Sequence, residues 1–322
     1  MTARRTLFAA PLALLATRAA AQDRFPSRPI TVVNPWPPGG SSDTMARVVM
    51  QRMSAILGQP IVVENRPGAT GTVGHGTVAR ARPDGHTLLF GTNSTYAIAP
   101  HLMEGLPYDS ATAFAGISMV GRIAQAFCVH PSVPAATLGE FLALARAQPG
   151  QLSFSSAGIG ATSHLATEML MARAGINLLH VPYRGGAPSA QAVVTGEVRA
   201  SFVDVITALP LRAGGQVRML GVSTTTRSAL ANDVPTIAEQ GVTGFESSTD
   251  AGFFAPAGTP EPILRRLNEA LREALGHPET RQAILAMGAE PIGSTIEAFA
   301  AYLTRESAKW GEIIRSRGIR MG

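Results

Sequence analysis

The stretch Val32-Val33-Asn34-Pro35-Trp36-Pro37-Pro38-Gly39-Gly40-Ser41-Ser42-Asp43 constrains the fold more than any other part of this chain. A β-branched apolar run (Ile30, Val32, Val33) feeds a turn that Pro37 and Pro38 stiffen and Gly39 and Gly40 sharpen. Ser42 and Asp43 stand where an N-cap belongs, ahead of Met45, Val48, Val49, Met53 and Ile56, whose spacing is the apolar stripe of an amphipathic helix. The stretch therefore reads strand, rigid turn, helix N-terminus. Such a terminus offers unpaired N–H groups and partial positive charge, which suit a carboxylate or phosphate. Most helix starts bind only water, and the signal gains weight because the chain repeats the device.

Two further turns are built alike. Ser156-Ala157-Gly158-Ile159-Gly160-Ala161-Thr162 follows a strand at 152–155, and Tyr183-Arg184-Gly185-Gly186 follows one at 178–182; a helix follows each turn. Along the rest of the chain strands and helices alternate, which predicts mostly parallel sheets covered by helices. Two extended pieces, 116–120 and 125–129, with Gly121 between them, mark a crossing into a second domain, and 244–255 marks the return. The expected division is 22–124 with 249–322 as one domain and 125–248 as the other. Capping boxes at Thr137/Glu140 and Ser294/Glu297, and Thr259 before Pro260, set three helix starts. In a doubly wound sheet, turns like these lie at the carboxyl ends of strands, where ligands bind. Glycine there also serves merely to turn the chain, but three such turns on two facing domains favour a shared site.

Composition narrows the function. Residues 1–21 have the form of a cleavable secretory signal: Arg4-Arg5, an apolar run from Leu7 to Ala16, and Ala19-Ala20-Ala21 before the cut. The run is too short to span a bilayer, and the paired arginines fit either Sec or twin-arginine export. Without Arg4, Arg5 and Arg18, 24 basic residues face 22 acidic ones. Near-neutral charge argues against nucleic acid as a partner, and no later run is long enough to cross a membrane. The one cysteine, Cys128, excludes an internal disulfide and reads as a buried thiol.

Enzyme motifs are weak. Gly158-Ile159-Gly160-Ala161-Thr162-Ser163 has the outline of a dinucleotide loop, but no acid follows near the next strand end to hold a ribose. There is no phosphate-binding Gly-Lys-Ser/Thr and no Gly-x-Ser-x-Gly elbow, and the seven histidines lie outside metal-ligand spacing. Neither a metal nor another cofactor is expected. His164, near a helix start, is suited to touching a ligand or to capping and packing. Arg184, beside two glycines, suits a bidentate pair with a carboxylate or a surface ion pair. Asp204, ending a strand, suits accepting from an amine or hydroxyl, or capping the next helix. Trp36 and Tyr96 fall in loops and offer an apolar wall.

Five segments carry a specific resemblance: 34–43 (Asn-Pro-Trp-Pro-Pro-Gly-Gly-Ser-Ser-Asp), 65–71 (Asn-Arg-Pro-Gly-Ala-Thr-Gly), 83–89 (Pro-Asp-Gly-His-Thr-Leu-Leu), 180–185 (His-Val-Pro-Tyr-Arg-Gly) and 255–260 (Ala-Pro-Ala-Gly-Thr-Pro). In order along essentially the whole mature chain, they resemble the receptors of tripartite tricarboxylate transporters, also called Bug-type extracytoplasmic solute receptors. The resemblance implies a type II-like periplasmic binding protein of two α/β domains that closes over a small organic acid, a monomer without cofactor. By position, the family's ligand loops correspond to Pro38, Gly39, Gly40, Ser41, Ser42 and Asp43; to Ser156, Ala157, Gly158, Gly160, Ala161 and Thr162; and to Tyr183, Arg184, Gly185 and Gly186, with Asn93 and Asp204 nearby. Asp250 departs from the family's usual aromatic, and Asn34 from its usual apolar residue. Facing the cleft, Asp250 would repel a second carboxylate and favour an amine, hydroxyl or amide; the other reading is a solvated hinge residue. The implied partner is a membrane permease. The rival readings are a sensory adaptor that presents its ligand to a sensor kinase, and an enzyme acting on a carboxylate substrate.

Overall fold

The computed structural model describes residues 25–68 and 71–320, so the signal expected at 1–21 lies outside the described residues. The first three strands are β1 (Ile30–Asn34), β2 (Ile61–Asn65) and β3 (Thr87–Thr92), with helices α1 (Ser41–Leu57) and α2 (Thr72–Ala79) between them. A π-helical turn, Ser94–Ile98, and the short α3 (Ala99–Leu102) lead to the long β4 (Phe114–Val129). Then come α4 (Leu138–Ala147), β5 (Ser153–Ser156), α5 (Thr162–Ala174), β6 (Leu179–Pro182), α6 (Gly186–Val194), β7 (Ala200–Asp204), α7 (Val205–Ala213) and β8 (Arg218–Val222). The chain closes with β9 (Ser248–Pro256), α8 (Glu261–Gly276), α9 (Pro278–Ala286), β10 (Ala289–Pro291) and α10 (Ile296–Arg317).

Two sheets share one strand. Strand β4 pairs antiparallel with β9 from Phe114–Pro256 to Ala124–Ser248, then with β7 from Gln125–Asp204 onward. The order along the path is β2-β1-β3-β9-β4-β7-β5-β6, with β10 and β8 also on β4. The two extended pieces expected on either side of Gly121 are thus one continuous strand. Gly121 is there for packing: a Cβ would stand 3.0 Å from the Glu290 carbonyl oxygen of the adjoining β10.

Both faces of each sheet are covered, which explains strands that read as unbroken apolar runs. Leu88 and Phe90 enter the core under α1 and α8, whereas Leu89 points to the opposite core with Phe254 and Phe299. In the second sheet Phe127 and Val129 join the core with α4 and α5, and Ala126 and Cys128 the core with α6 and α7. Cys128 is fully buried, and burial pushes its thiol up to about 12, so a structural thiol is the outcome.

The lobes also share a core. Ile98 and Leu102, with Trp310 and Ile314 of α10, pack in one cluster with Leu165, Met169 and Leu170 of α5. Helix α5 is therefore buried almost all round over its first ten residues, and Arg317 adds an ion pair to Glu168 at 2.7 Å.

Two helix starts differ from expectation because a hydroxyl found a different partner. Thr259 bonds the Pro256 carbonyl oxygen, and α8 starts after Pro260 with Pro262 in its first turn. Ser294 is drawn to the backbone of β4, accepting from the Met119 amide at 2.8 Å, and Thr295 caps α10 instead. Thr137 caps α4 as expected.

Candidate functional site

Parallel pairing of β1 with β3, and of β5 with β6 and β7, puts the carboxyl ends of these strands on one edge of each sheet. Helices α1, α5 and α6 start directly from those ends, so their N-termini lie along the same edges.

The first loop is held open by side chains rather than by glycine alone. Gly39 has φ +82°, and Gly40, in an extended conformation, precedes α1; the helix starts at Ser41, two residues before Asp43. Asp43 is buried, and its carboxylate accepts from the Gly39 amide (2.9 Å), Arg47 Nε (3.0 Å) and Asn65 Nδ2 (2.8 Å). Burial would raise this acid; the bonds from Arg47, Gly39 and Asn65 and the Arg47 charge together hold it at about 2. Asp43 is thus occupied in bracing the loop. Asn65 Nδ2 also donates to the Trp36 carbonyl, and Trp36 Nε1 donates to Thr92 Oγ1 at 3.2 Å, tying the β1 and β3 ends together. Ser42 Oγ donates to Asn34 Oδ1 at 3.1 Å. Pro38, Gly39 and Gly40 are exposed, and the amides of Ser41 and Ser42 donate to no acceptor among the described residues.

In the second loop several amides are claimed by its own side chains. Ser163 Oγ accepts from Ala157, Ser156 Oγ from Gly158, and His164 Nδ1 from Gly160 (3.1, 3.2 and 3.2 Å). Ala161 donates to the Gly158 carbonyl. What stays available is the first turn of α5, the amides of Thr162 and Ser163. His164 is buried, stacked on His180 at 4.0 Å and 3.6 Å from Glu168, so it packs within the second lobe. Burial and the neighbouring His164 lower His180 to about 4, and its Nε2 lies 2.6 Å from Ser156 Oγ. The third loop is stitched to the second, with Tyr183 and Gly185 amides donating to the Ser156 and Ala157 carbonyls. Gly185 has φ +120°, Gly186 opens α6, and Arg184 is exposed with no partner among the described residues.

Contacts through β9 bring the two sets of loops together. Asn93 is fully buried, donates to the Ser248 carbonyl (2.8 Å) and accepts from the Asp250 amide (3.2 Å). Thr249 Oγ1 lies 3.0 Å from Thr162 Oγ1 at the start of α5. Gly160 sits so close that a Cβ would meet Leu102 at 2.6 Å.

Asp250 is buried rather than solvated at a hinge. It is 1% exposed, bonded by Arg122 Nε (3.2 Å) and Tyr302 Oη (2.5 Å), with Tyr96 Oη on its carbonyl. Arg122 stands opposite it across the two crossing strands, so the pair is an ion bridge within the crossing. Tyr96, expected in a loop, belongs to the π-helical turn and to an aromatic cluster with Phe254 and Phe299. Asp204, at the end of β7, is half-buried, and burial pushes its carboxyl up to about 6 against a bond from Gln125. It makes no side-chain cap to α7.

Sequence reasoning missed Gln125 and treated Asn34 only as a departure. Gln125 Oε1 and Asn34 Nδ2 are both buried without a partner among the described residues. The visible signal was a lone polar residue inside an apolar strand.

Two α/β lobes on a shared strand, with helix N-termini along the edges where they meet, define a two-domain solute-binding protein. A family model described as the tripartite tricarboxylate transporter family receptor matches residues 45–319, and the chain belongs to that family. Protein BugT of Bordetella pertussis is 33% identical over 300 residues, 93% of this chain and 92% of BugT. Among solved structures, R. palustris Rpa4515 with adipate is 31% identical at TM-score 0.83, covering 92% of this chain and all of that one. MatC from Rhodopseudomonas palustris with bound malate is 32% identical at TM-score 0.78, covering 90% and 100%. This family and these structural relatives are solute-binding receptors, not enzymes.

Proposed function

We propose that the protein is a periplasmic receptor that captures a small organic acid between its lobes and delivers it to a membrane permease. The observation that carries this reading is the set of unpaired amides at the starts of α1 and α5, one on each lobe, on edges joined through Thr162 and Thr249. A carboxylate there gains N–H donors and two helix-terminal partial charges without needing a buried cation. Arg184, exposed and free of partners among the described residues, adds a movable positive charge for a second anionic group. Bound adipate and malate in the two relatives fit the same ligand class. The domain division we propose follows the switch of β4 between sheets: 22–124 with 249–322, and 125–248. The signal-like residues 1–21 provide the export route.

Gly40→Val tests the reading. Gly40 has φ −76°, which valine adopts, and an added Cβ would have only the Pro37 carbonyl oxygen near it, at 3.8 Å. The variant should fold with a melting temperature close to wild type. Its isopropyl group would crowd the α1 amides and weaken binding of the ligand that co-purifies with the wild-type protein by about ten-fold or more, the scale of one charge-assisted hydrogen bond. Equal affinity by calorimetry would remove this loop from the site.

A further inference from the structure

The turn of the second loop depends on one imidazole nitrogen. The Gly160 amide donates to His164 Nδ1 at 3.2 Å, which closes the turn just ahead of the Thr162 and Ser163 amides. A ring nitrogen that accepts carries no hydrogen, so the one ring hydrogen of neutral His164 stands on Nε2. The ring is held flat against His180 at 4.0 Å, and His180 against Phe154 at 4.7 Å, so it cannot turn away. A second proton would put N–H groups at both ring nitrogens, and Nδ1 would then face the Gly160 amide donor to donor. What stands opposite Nε2 governs this. Glu168 Oε1, one helical turn on, lies 3.6 Å away. A carboxylate there favours hydrogen on Nε2 and keeps Nδ1 bare, but its full charge would also draw a second proton onto the ring. Arg317 offsets that charge, with its Nε 2.7 Å from the other oxygen, Glu168 Oε2. Burial would raise Glu168, and the His164 ring and the Arg317 guanidinium together hold its carboxyl below the usual range. Arg317 stands in the last turn of α10, which Trp310 and Ile314 seat on α5.

We propose that Arg317 is a positioning residue for the second ligand loop: through Glu168 it keeps His164 a neutral acceptor for Gly160, so the last helix of one lobe sets a binding loop of the other. The loop's part in binding rests on the receptor reading above; the relay from Arg317 to Gly160 does not. Three charged or titratable groups face His164 from the elements around it. They are Glu168 on its own helix, Arg317 of α10 behind Glu168, and His180 of β6, which burial and the neighbouring His164 lower to about 4. Without Arg317 the Glu168 charge is unbalanced. As the pH falls from about 8 to about 5, the ring then takes its second proton earlier than in the wild type and lets Gly160 go. Lobes that part would draw Arg317 from Glu168 and relax the same turn, which ties the shape of the loop to the position of the lobes.

Amide hydrogen exchange on the ligand-free mature protein, read at Gly160 by NMR, tests the relay. Near pH 6 this amide should exchange about ten-fold or more faster in Arg317→Met than in the wild type, while the strand amides of β5 and β7 keep their protection. Arg317→Lys, which keeps the charge, should restore it. The double variant Glu168→Gln/Arg317→Met separates the relay from packing. A glutamine carbonyl accepts from Nε2 without drawing a proton, so Gly160 should return to within a few-fold of the wild type, whereas lost packing would leave it as fast as in Arg317→Met. Gly160 protection that is the same with and without Arg317, or that the double variant does not restore, overturns the relay and leaves the receptor reading intact. In the wild type the nitrogen shift of His164 Nδ1 at neutral pH should be that of a bare ring nitrogen. A protonated Nδ1 there overturns the proposal even if no variant folds. With malate and adipate as probes, an acid that the wild type binds should bind Arg317→Met about ten-fold less tightly by calorimetry. Undiminished affinity beside a loosened Gly160 would overturn Arg317 as a positioning residue and count against the second loop as a ligand loop.

Discussion

Removing the charge of Asp43 tests whether the first loop is braced by that residue. The carboxyl sits at about 2 in the folded protein against 3.8 for the free side chain. At ~1.4 kcal/mol per pKa unit, the ionised form contributes about 2 kcal/mol to stability at neutral pH. The folded pKa is depressed, so this contribution is present above pH 4 and is lost as the pH falls through 2. At pH 3 roughly half of it remains. Asp43→Asn is nearly isosteric but presents an amide where Gly39, Arg47 and Asn65 all donate, so it should lose the whole increment at pH 7. Urea unfolding of both proteins without ligand should show the variant about 2 kcal/mol less stable at pH 7 and about 1 kcal/mol less stable at pH 3. A difference below ~0.5 kcal/mol at pH 7, or one that does not narrow with acid, would show that the carboxylate does not hold the loop.

Asp250→Ala should destabilise the protein by about 3–5 kcal/mol, because it leaves Arg122 part-buried without this partner; a loss below ~1 kcal/mol in the same assay would contradict the ion bridge. Asp204 shifts the other way: its folded pKa is raised, so its contribution is complete below pH 4 and is lost as the pH rises through about 6. Asp204→Asn should therefore stabilise the ligand-free protein at pH 8 by up to about 3 kcal/mol, less what cleft water screens, and should have almost no effect at pH 4. Thr162→Val and Thr249→Val should each weaken ligand binding, with a coupling of about 0.5–1.5 kcal/mol in the double-mutant cycle, and strict additivity would mean that these hydroxyls do not meet in the bound state.

Much of the architecture was legible in the chain because it is written in local terms. Strand, glycine turn and helix start lie within about ten residues of one another, as in Val32 to Met45, so apolar spacing and turn residues suffice to find them. The place where β4 passes from one sheet to the other was read as two extended pieces around Gly121, because a glycine inside an apolar run looks like a break until β10 is seen packed against it. Side-chain partnership was not legible. Asp250 meets Arg122 from 128 positions away, and Asn93 meets Ser248 from 155. Nothing near Asp250 in the chain marks it as half of an ion bridge. The same holds for the amides of the second loop, which Ser156, Ser163 and His164 claim only once α5 is seated. Likewise, only the packing of Trp310 and Ile314 onto α5 revealed that the last helix joins both lobes. Periodicity and turn chemistry are properties of neighbouring residues, so the sequence by itself determined the order and kind of the elements. Which polar groups remain unpaired at the cleft depends on contacts between distant segments, and only the tertiary structure decided that.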